Sequence, residues 1–331
     1  HLFMSPPVLY FFVKPPHVVW RGRWLSSIKS HLIYPLIPQP VPFVTPLKDN
    51  ERMDAILLYL LIGALAGLLA GLLGVGGGLV IVPLLVWIFL QHGVAMEWLM
   101  HLAIGTSLAT IVVTSLSSVA AHHRRGAVRW DIFWILVPGI LLGGWLGAAV
   151  AAVVESSLLQ KFFASFELLV AIQMGLLSGR GAVFRGEGGL SGVDAAVESG
   201  REVSSRIEGG VVGGVIGAVS ALVGIGGGTM TVPWLVWKKI KIHQAVGTSA
   251  AVGLPIAIAG GAGFVWSGWG VEGLPEWSSG FVYWPAFVGI VVMSVLTAPL
   301  GARLAHMLPA LYLKRVFALF LLFLSIRMFV G

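Results

Sequence analysis

The chain is poor in charge, since only 11% of its 331 residues are Asp, Glu, Lys or Arg, while 57% are apolar. A soluble domain usually carries about 25% charged residues, so this composition excludes an ordinary soluble enzyme. The chain also has no cysteine, which excludes disulfides, thiolate metal sites and cysteine nucleophiles. A mean hydropathy of +0.93 and apolar runs of about 20 residues instead predict an all-α polytopic membrane protein.

Residues 1–52 differ from the rest of the chain. They hold six Lys or Arg against two acidic residues, and many prolines interrupt them, so no run is long enough to span a bilayer. Met53 opens directly into an apolar run. We therefore expect translation to start there and the extension to be non-native; the alternative is a cytoplasmic or lipid-surface tail. The excess of basic residues reflects membrane topology, so no nucleic-acid partner is expected.

Ten apolar runs follow, five in each half of the chain. One run in each half is conspicuously short. The domains predicted from them are a first transmembrane repeat over 53–177, a polar linker over 178–208 and a second repeat over 209–331. The runs are Ala55–Leu73, Leu79–Leu90, Trp98–Ala121, Ile132–Val154, Leu158–Leu177, Gly209–Val223, Thr229–Trp237, Ala245–Trp266, Phe281–Leu304 and Leu311–Val330. Leu79–Leu90 and Thr229–Trp237 are too short to cross a bilayer comfortably.

The two halves are copies of each other. Gly74–Trp87 aligns on Gly224–Trp237 without a gap, with nine identities in fourteen positions. His101–Ser107 matches His243–Ser249 in the same order along the chain, as His-x-Ala-x-Gly-Thr-Ser. A third match, near the ends of the halves, relates Gln160–Met174 to Lys314–Met328. Three ordered matches predict an internal duplication.

Charge predicts that the two copies have opposite orientations in the membrane. Short cytoplasmic loops collect Lys and Arg. The loop His122–Arg129 is basic, whereas its counterpart Ser267–Gly280 contains two glutamates and no basic residue. The preceding loops show the reverse, with Lys238–Lys241 basic and Gln91–Glu97 free of Lys and Arg. The repeats are therefore expected to be inverted, which requires an odd number of crossings per half or three crossings plus a re-entrant hairpin.

Each half contains a run of three glycines before its short helix. Inverted repeats with glycine-interrupted short segments near the midplane are typical of secondary-transporter binding sites. Irregular backbone at that depth lines an enclosed cavity, and the amides that open the next helix can hold an anion. The predicted substrate-binding glycines are Gly76, Gly77, Gly78, Gly226, Gly227 and Gly228. The alternative is close helix packing, which we prefer for Gly63, Gly67, Gly71, Gly143, Gly144 and Gly147.

Hydroxyl and ionisable side chains near these motifs are further candidates. Thr106, Ser107, Thr248 and Ser249 are duplicated beside a glycine, although membrane hydroxyls often bond back to their own helix. His101 and His243, which lie a turn earlier, are candidates for ion coupling or for a structural role. Glu167 is an acidic residue inside a predicted span, where ionisable groups are usually functional. No spacing suits a metal site, and no catalytic or cofactor-binding residue is predicted.

These motifs together resemble the sulfite exporter TauE/SafE family of membrane permeases. The resemblance covers Met53 through Gly331. The duplicated Gly-[Val/Ile]-Gly-Gly-Gly-x(4)-Pro runs at Gly74–Pro83 and Gly224–Pro233 carry it, together with the paired Gly-Thr-Ser motifs, the Arg124-Arg125-Gly126 turn and the Pro299–Arg303 run. It does not extend to residues 1–52, and it identifies nothing in the linker.

The resemblance implies an ion-coupled transporter of sulfur-containing anions, such as sulfite or organosulfonates, in the bacterial inner membrane. Its partners would be a small anionic substrate and the surrounding lipid. The alternatives are an anion channel, which would lack alternating access, and a transporter of an unrelated small organic anion. A membrane-embedded hydrolase would need a nucleophile beside its base. Ser107 and His101 are six residues apart on one helix and so lie on different faces, as do Ser249 and His243; no nucleophile elbow accompanies them.

Overall fold

The computed structural model describes residues 49–73, 77–176, 206–305 and 310–330, which form helices and one short hairpin. The first half contributes α1 (Asp49–Leu73), α2 (Gly78–Gln91), α3 (Leu99–Arg124), α4 (Trp130–Val153) and α5 (Ser156–Leu176). The second contributes α6 (Arg206–Val223), α7 (Gly228–Trp237), α8 (Ile242–Ser267), β1 (Ser278–Ser279), β2 (Val282–Tyr283), α9 (Trp284–Ala305) and α10 (Ala310–Val330).

All ten predicted apolar runs are helices, and seven of the described helices are long and apolar enough to cross a membrane. The chain is an all-α polytopic membrane protein, and multi-pass. α2 and α7 are short, with 14 and 10 residues, as the sequence indicated. The predicted extension over 1–52 and linker over 178–208 lie almost entirely outside the described residues, and Gly76 lies outside them as well.

One boundary prediction was wrong. The apolar run expected over Phe281–Leu304 begins within a short hairpin, and the helix α9 starts only at Trp284. Phe281 lies in the turn between β1 and β2, which pair antiparallel with Ser279 opposite Val282. Gly280, with a φ of 55°, supplies the left-handed conformation that the turn needs. Pro285 is the second residue of α9, a position that suits a helix start. Apolarity alone could not separate Phe281 from the helix that follows it.

The outer helices pack in glycine-lined pairs, α1 against α9 and α4 against α6. A Cβ added to Gly63 would lie 2.5 Å from the carbonyl oxygen of Ile290, and one added to Gly147 would lie 2.5 Å from that of Ala218. Membrane helices use such small residues to bring backbones into contact. The packing interpretation is thus confirmed for Gly63 and Gly147, and equally for Gly67 and Gly143, whose added Cβ atoms would also meet backbone.

Equivalent helices of the two halves have equivalent partners. α1 packs on α9 as α6 packs on α4, and α2 packs on α3 as α7 packs on α8. α3 packs against its own counterpart α8, and α5 against its counterpart α10. Among the described helices, α3 and α8 carry the most buried residues, so they lie at the centre of the structure. This reciprocal pattern is what an internal duplication with pseudo-two-fold symmetry produces.

The packing of α4 on α6 predicts different outcomes for two glycine-to-alanine changes. Gly147→Ala places a methyl group against the Ala218 backbone and should destabilise the protein by about 1–3 kcal/mol, as overpacking does. Gly210→Ala meets no atom within 4 Å and should leave stability unchanged or raise it, because alanine favours helix. Melting temperatures of the purified variants in detergent test this. Equal melting temperatures for both variants would contradict the packing role.

Candidate functional site

The two glycine segments meet each other between α3 and α8. A Cβ added to Gly78 would lie 2.5 Å from the carbonyl oxygen of Gly224 and 3.0 Å from the Cα of Ile225. Ile111 of α3 bridges the two segments, because its side chain lies 3.2 Å from the added Cβ at Gly78 and 3.3 Å from that at Gly226. The duplicated motifs, which are far apart in sequence, are thus brought into one place.

The two short helices that follow these glycine segments begin without a side-chain cap. α2 follows Gly77, whose carbonyl oxygen accepts from the N–H groups of Val80 and Ile81 at 3.0 and 2.9 Å. α7 follows Gly227, whose carbonyl accepts from Met230 and Thr231 at 3.2 and 2.9 Å. The first N–H groups of a helix have no partner within it and carry partial positive charge. Glycine caps offer them no side chain either.

The two glycine caps differ in backbone conformation. Gly227 has a φ of 71°, in the left-handed region, whereas Gly77 is right-handed with a φ of −71°. The φ of Gly224 is also positive, at 72°. Side chains other than glycine are strained at such angles, so Gly224 and Gly227 are required by the backbone itself. Between them the chain leaves α6 and enters α7 in four residues.

Three hydroxyl groups beside α7 are buried without a partner among the described residues: those of Ser220, Thr229 and Thr231. The sequence analysis did not single them out. Thr229 and Thr231 stand opposite Leu79 and Ile81 in the aligned glycine motif. A polar residue in one copy at a position that is apolar in the other copy was the signal that could have identified them.

Thr106 and Thr248 each accept a hydrogen bond from a loop of the opposite half. The backbone N–H of Tyr283 donates to Thr106 Oγ1 at 3.0 Å, and that of Arg129 donates to Thr248 Oγ1 at 2.9 Å. Both threonines are fully buried. The neighbouring glycines allow the approach, since a Cβ on Gly247 would lie 2.5 Å from the carbonyl oxygen of Ala127. A ligand role for these hydroxyls stays a prediction, beside this observed structural one.

The two predicted serines are also buried at the centre. Ser107 Oγ donates to the carbonyl oxygen of Gly224 at 2.9 Å, so it supports the break between α6 and α7 directly. Ser249 is 2% exposed at the equivalent position of α8. Ser107 therefore touches the second glycine segment from the first half of the chain.

The structure separates the two candidate histidines. His101 is buried, and its Nε2 donates to the carbonyl oxygen of Ala151 at 2.9 Å, while its ring packs against Trp98 and Phe281. His243 is exposed at the start of α8. Equivalent positions in sequence thus have different surroundings, and a coupling role remains a prediction for each.

Glu167 is the most unusual ionisable side chain among the described residues. It is 0% exposed on α5, and neither carboxylate oxygen has a hydrogen-bond partner in the described part of the chain. The two ion pairs found there involve other groups, Arg129 with Asp131 and Lys238 with Glu208. α5 packs mainly on α10, which has Leu321 at the equivalent position.

A cleft of about 490 Å³ lies apart from the glycine segments, beside the start of α3 and the end of α4. Its lining includes Glu97, Glu155, His101 and Ser156. Two carboxylates repel an anion, so this cleft is a poor candidate for the anion site. In the described ranges no group of three or more His, Asp or Glu side chains could hold a metal ion.

A duplicated, polytopic helical fold with a broken-helix centre defines a membrane transporter, and the comparisons with known proteins agree. The family model described as sulfite exporter TauE/SafE matches residues 59–328. The chain belongs to the sulfite exporter TauE/SafE family. It is a membrane transporter and not an enzyme.

Two of the relatives match over most of their own length, and a third matches over about a quarter of its own. A Haemophilus influenzae protein, named a probable membrane transporter protein, is 41% identical over 274 residues, 83% of this chain and 98% of that protein. The Bacillus subtilis probable membrane transporter protein YdhB is 28% identical over 78% of this chain and 94% of its own. An Arabidopsis thaliana sulfite exporter TauE/SafE family protein 3 is 29% identical over 38% of this chain and 26% of its own. No solved structure matches.

The threonine contacts predict a loss of stability when their hydroxyls are removed. Thr106→Val and Thr248→Val each leave a backbone N–H without its acceptor, which costs about 1–3 kcal/mol when the group is buried. Thr114→Val is the matched control, because Thr114 bonds only to carbonyl oxygens of its own helix. Thermal unfolding in detergent is the measurement. Unchanged stability together with lost transport would instead favour the ligand role.

Proposed function

We propose that this transporter carries small sulfur-containing anions such as sulfite or organosulfonates, held by backbone amides of the two glycine segments. The observation that carries the proposal is the contact of Gly78, at the uncapped start of α2, with Gly224 and Ile225 of the segment that leads into the uncapped start of α7. Each uncapped helix start carries partial positive charge that favours an anion. Family membership supports sulfur-containing anions as the substrate class.

The polar groups described around the glycine segments are backbone amides and hydroxyl groups. None of the Lys or Arg side chains described for burial is buried, and Glu167 is the one buried carboxylate among the described residues. The site therefore offers helix dipoles and hydroxyl groups but no full charge. Dipole-based binding is typical of broken-helix transporter sites near the membrane midplane. Gly76, which the structure does not describe, completes the first segment in the proposal.

We further infer that the halves are inverted repeats. The start of α8 contacts the loop that follows α3, through Thr248 and Arg129, and the start of α3 contacts the loop that follows α8, through Thr106 and Tyr283. Helices that meet each other's far loops run antiparallel, so equivalent helices cross the membrane in opposite directions. The basic loop 122–129 would then be cytoplasmic, in the inner membrane of a bacterial cell.

Cysteine labelling tests this topology directly, because the chain has no cysteine of its own. Arg125→Cys and Glu272→Cys place single thiols at exposed loop positions, and Arg124 and Arg129 keep the first loop basic. A membrane-impermeant maleimide added to intact spheroplasts should label the Glu272→Cys protein alone. The Arg125→Cys protein should react only after permeabilisation. Labelling of both from the same side would refute inverted repeats.

Glu167 is the group we propose to carry the coupled proton, with His101 and His243 as the other candidates. Its carboxyl group is buried without a partner, so binding and release of a proton would alter its charge in a low-dielectric setting. Buried acidic groups within membrane helices often act as proton relays. His101 is buried against Ala151 and Phe281, and His243 is exposed, so Glu167 is the strongest of the three.

Flux through proteoliposomes tests function and coupling together. The parent protein should take up sulfite or methanesulfonate saturably, with a rate that a proton gradient accelerates. Glu167→Gln should lose the acceleration but retain substrate counterflow, because the amide fills the same space without carrying a proton. Glu155→Gln, which changes an exposed carboxylate, is the control and should behave as the parent. Flux that neither saturates nor responds to the gradient would favour an anion channel.

A preference for acetate or another carboxylate over every sulfur anion would favour the other alternative, a transporter of an unrelated organic anion. That outcome leaves the glycine site in place and changes only its substrate. Absence of any anion flux would refute the proposed function itself.

A further inference from the structure

Ser220 and Thr231 are two hydroxyl side chains placed at the start of α7. Both are 0% exposed, and neither hydroxyl has a hydrogen-bond partner among the described residues. A Cβ added to Gly227 would lie 3.5 Å from Ser220 Oγ. Thr231 stands one turn into α7, since its N–H donates to the Gly227 carbonyl at 2.9 Å. Ser220 of α6 therefore lies beside the start of α7, and Thr231 lies in the first turn of α7.

An unpaired buried hydroxyl is costly, at about 1–3 kcal/mol. Ser220 would normally bond back to a carbonyl of its own helix, and it does not. Two such groups at one helix end, next to amides that no side chain caps, indicate a ligand that accepts hydrogen bonds. This observation is independent of the helix end itself.

The first half of the chain has no hydroxyls at the equivalent positions. The offset that aligns Gly74 with Gly224 places Ala70 opposite Ser220 and Ile81 opposite Thr231. The nearest described atoms to a Cβ added to Gly77 are carbons, Ile81 Cδ1 at 3.0 Å and Ala66 Cβ at 3.3 Å. The shared architecture of the halves therefore does not require these hydroxyls. They are a property of the second glycine segment alone.

We propose that Ser220 and Thr231 donate hydrogen bonds to a singly charged oxyanion at the start of α7, so that the two halves contact the substrate unequally. The inference rests on the proposed function and specifies its substrate contacts. Amide and hydroxyl donors suit a group rich in oxygen acceptors, as a sulfonate is. No buried Lys or Arg is found among the described side chains, and the desolvation of a second negative charge would go uncompensated.

Binding of methanesulfonate to the purified full-length protein, measured by isothermal titration calorimetry, tests the proposal. Ser220→Ala and Thr231→Val should each raise its Kd about tenfold, which corresponds to the loss of one hydrogen bond. Ser278→Ala is the matched control. The hydroxyl of Ser278 is also buried without a partner among the described residues, but Ser278 lies in β1 and not beside α7. The Kd of this variant for methanesulfonate should equal that of the parent.

Melting temperature without any anion supplies a second readout. Removal of an unpaired buried hydroxyl should leave the melting temperature of Ser220→Ala and Thr231→Val equal to or above that of the parent. Weaker binding in a protein of equal or greater stability would support substrate contact. A lower melting temperature with parallel loss of binding would show that the hydroxyls are structural, and would overturn the proposal.

The remaining outcomes separate this inference from the proposed function. If the parent binds methanesulfonate and both variants bind it equally well, the hydroxyl contacts are refuted and the sulfur-anion transporter stands. If the parent binds neither methanesulfonate nor sulfite, the proposed function fails, and the inference with it. If sulfate, a dianion, binds as tightly as methanesulfonate, the preference for a single charge is refuted.

Discussion

The structure depends on one constraint: a membrane offers no water to hydrogen-bond a broken backbone. Gly224, Ile225 and Gly227 in the break between α6 and α7 are accordingly buried, and Gly226 is partly buried. Ser107 donates to the Gly224 carbonyl, Gly78 packs against that carbonyl, and Gly253 of α8 approaches the carbonyl of Gly226. The central helices α3 and α8 supply two of these contacts, through Ser107 and Gly253.

Each half completes the centre of the other. Ser107 of the first half donates a hydrogen bond to the second glycine segment. Thr248 of the second half accepts one from the loop before α4. Glycines in the outer helix pairs bring α1 onto α9 and α6 onto α4, again across the halves. Duplication thus provides two similar halves, and reciprocal contacts bring their glycine segments together.

The candidate site was predicted in part from sequence, and the limits have physical causes. The glycine motifs could be read because three adjacent glycines exceed what packing requires, and they do meet. The threonines of the Gly-Thr-Ser motifs accept hydrogen bonds from the backbone of Tyr283 and Arg129, which lie far away in the chain. Ser220 has no motif around it; only its lack of a partner in three dimensions distinguishes it from an ordinary helix serine.

By itself the sequence determined the class of protein, the family, the duplication and the ten helices, because apolar runs of membrane length leave the backbone no alternative to helix. Tertiary structure decided what each polar side chain does. It buried His101 and exposed its counterpart His243, made a hairpin of the stretch around Phe281, and left Ser220 and Thr231 unpaired beside Gly227. Those outcomes depend on which atoms of distant segments come within hydrogen-bond distance. The local sequence pattern does not determine that distance.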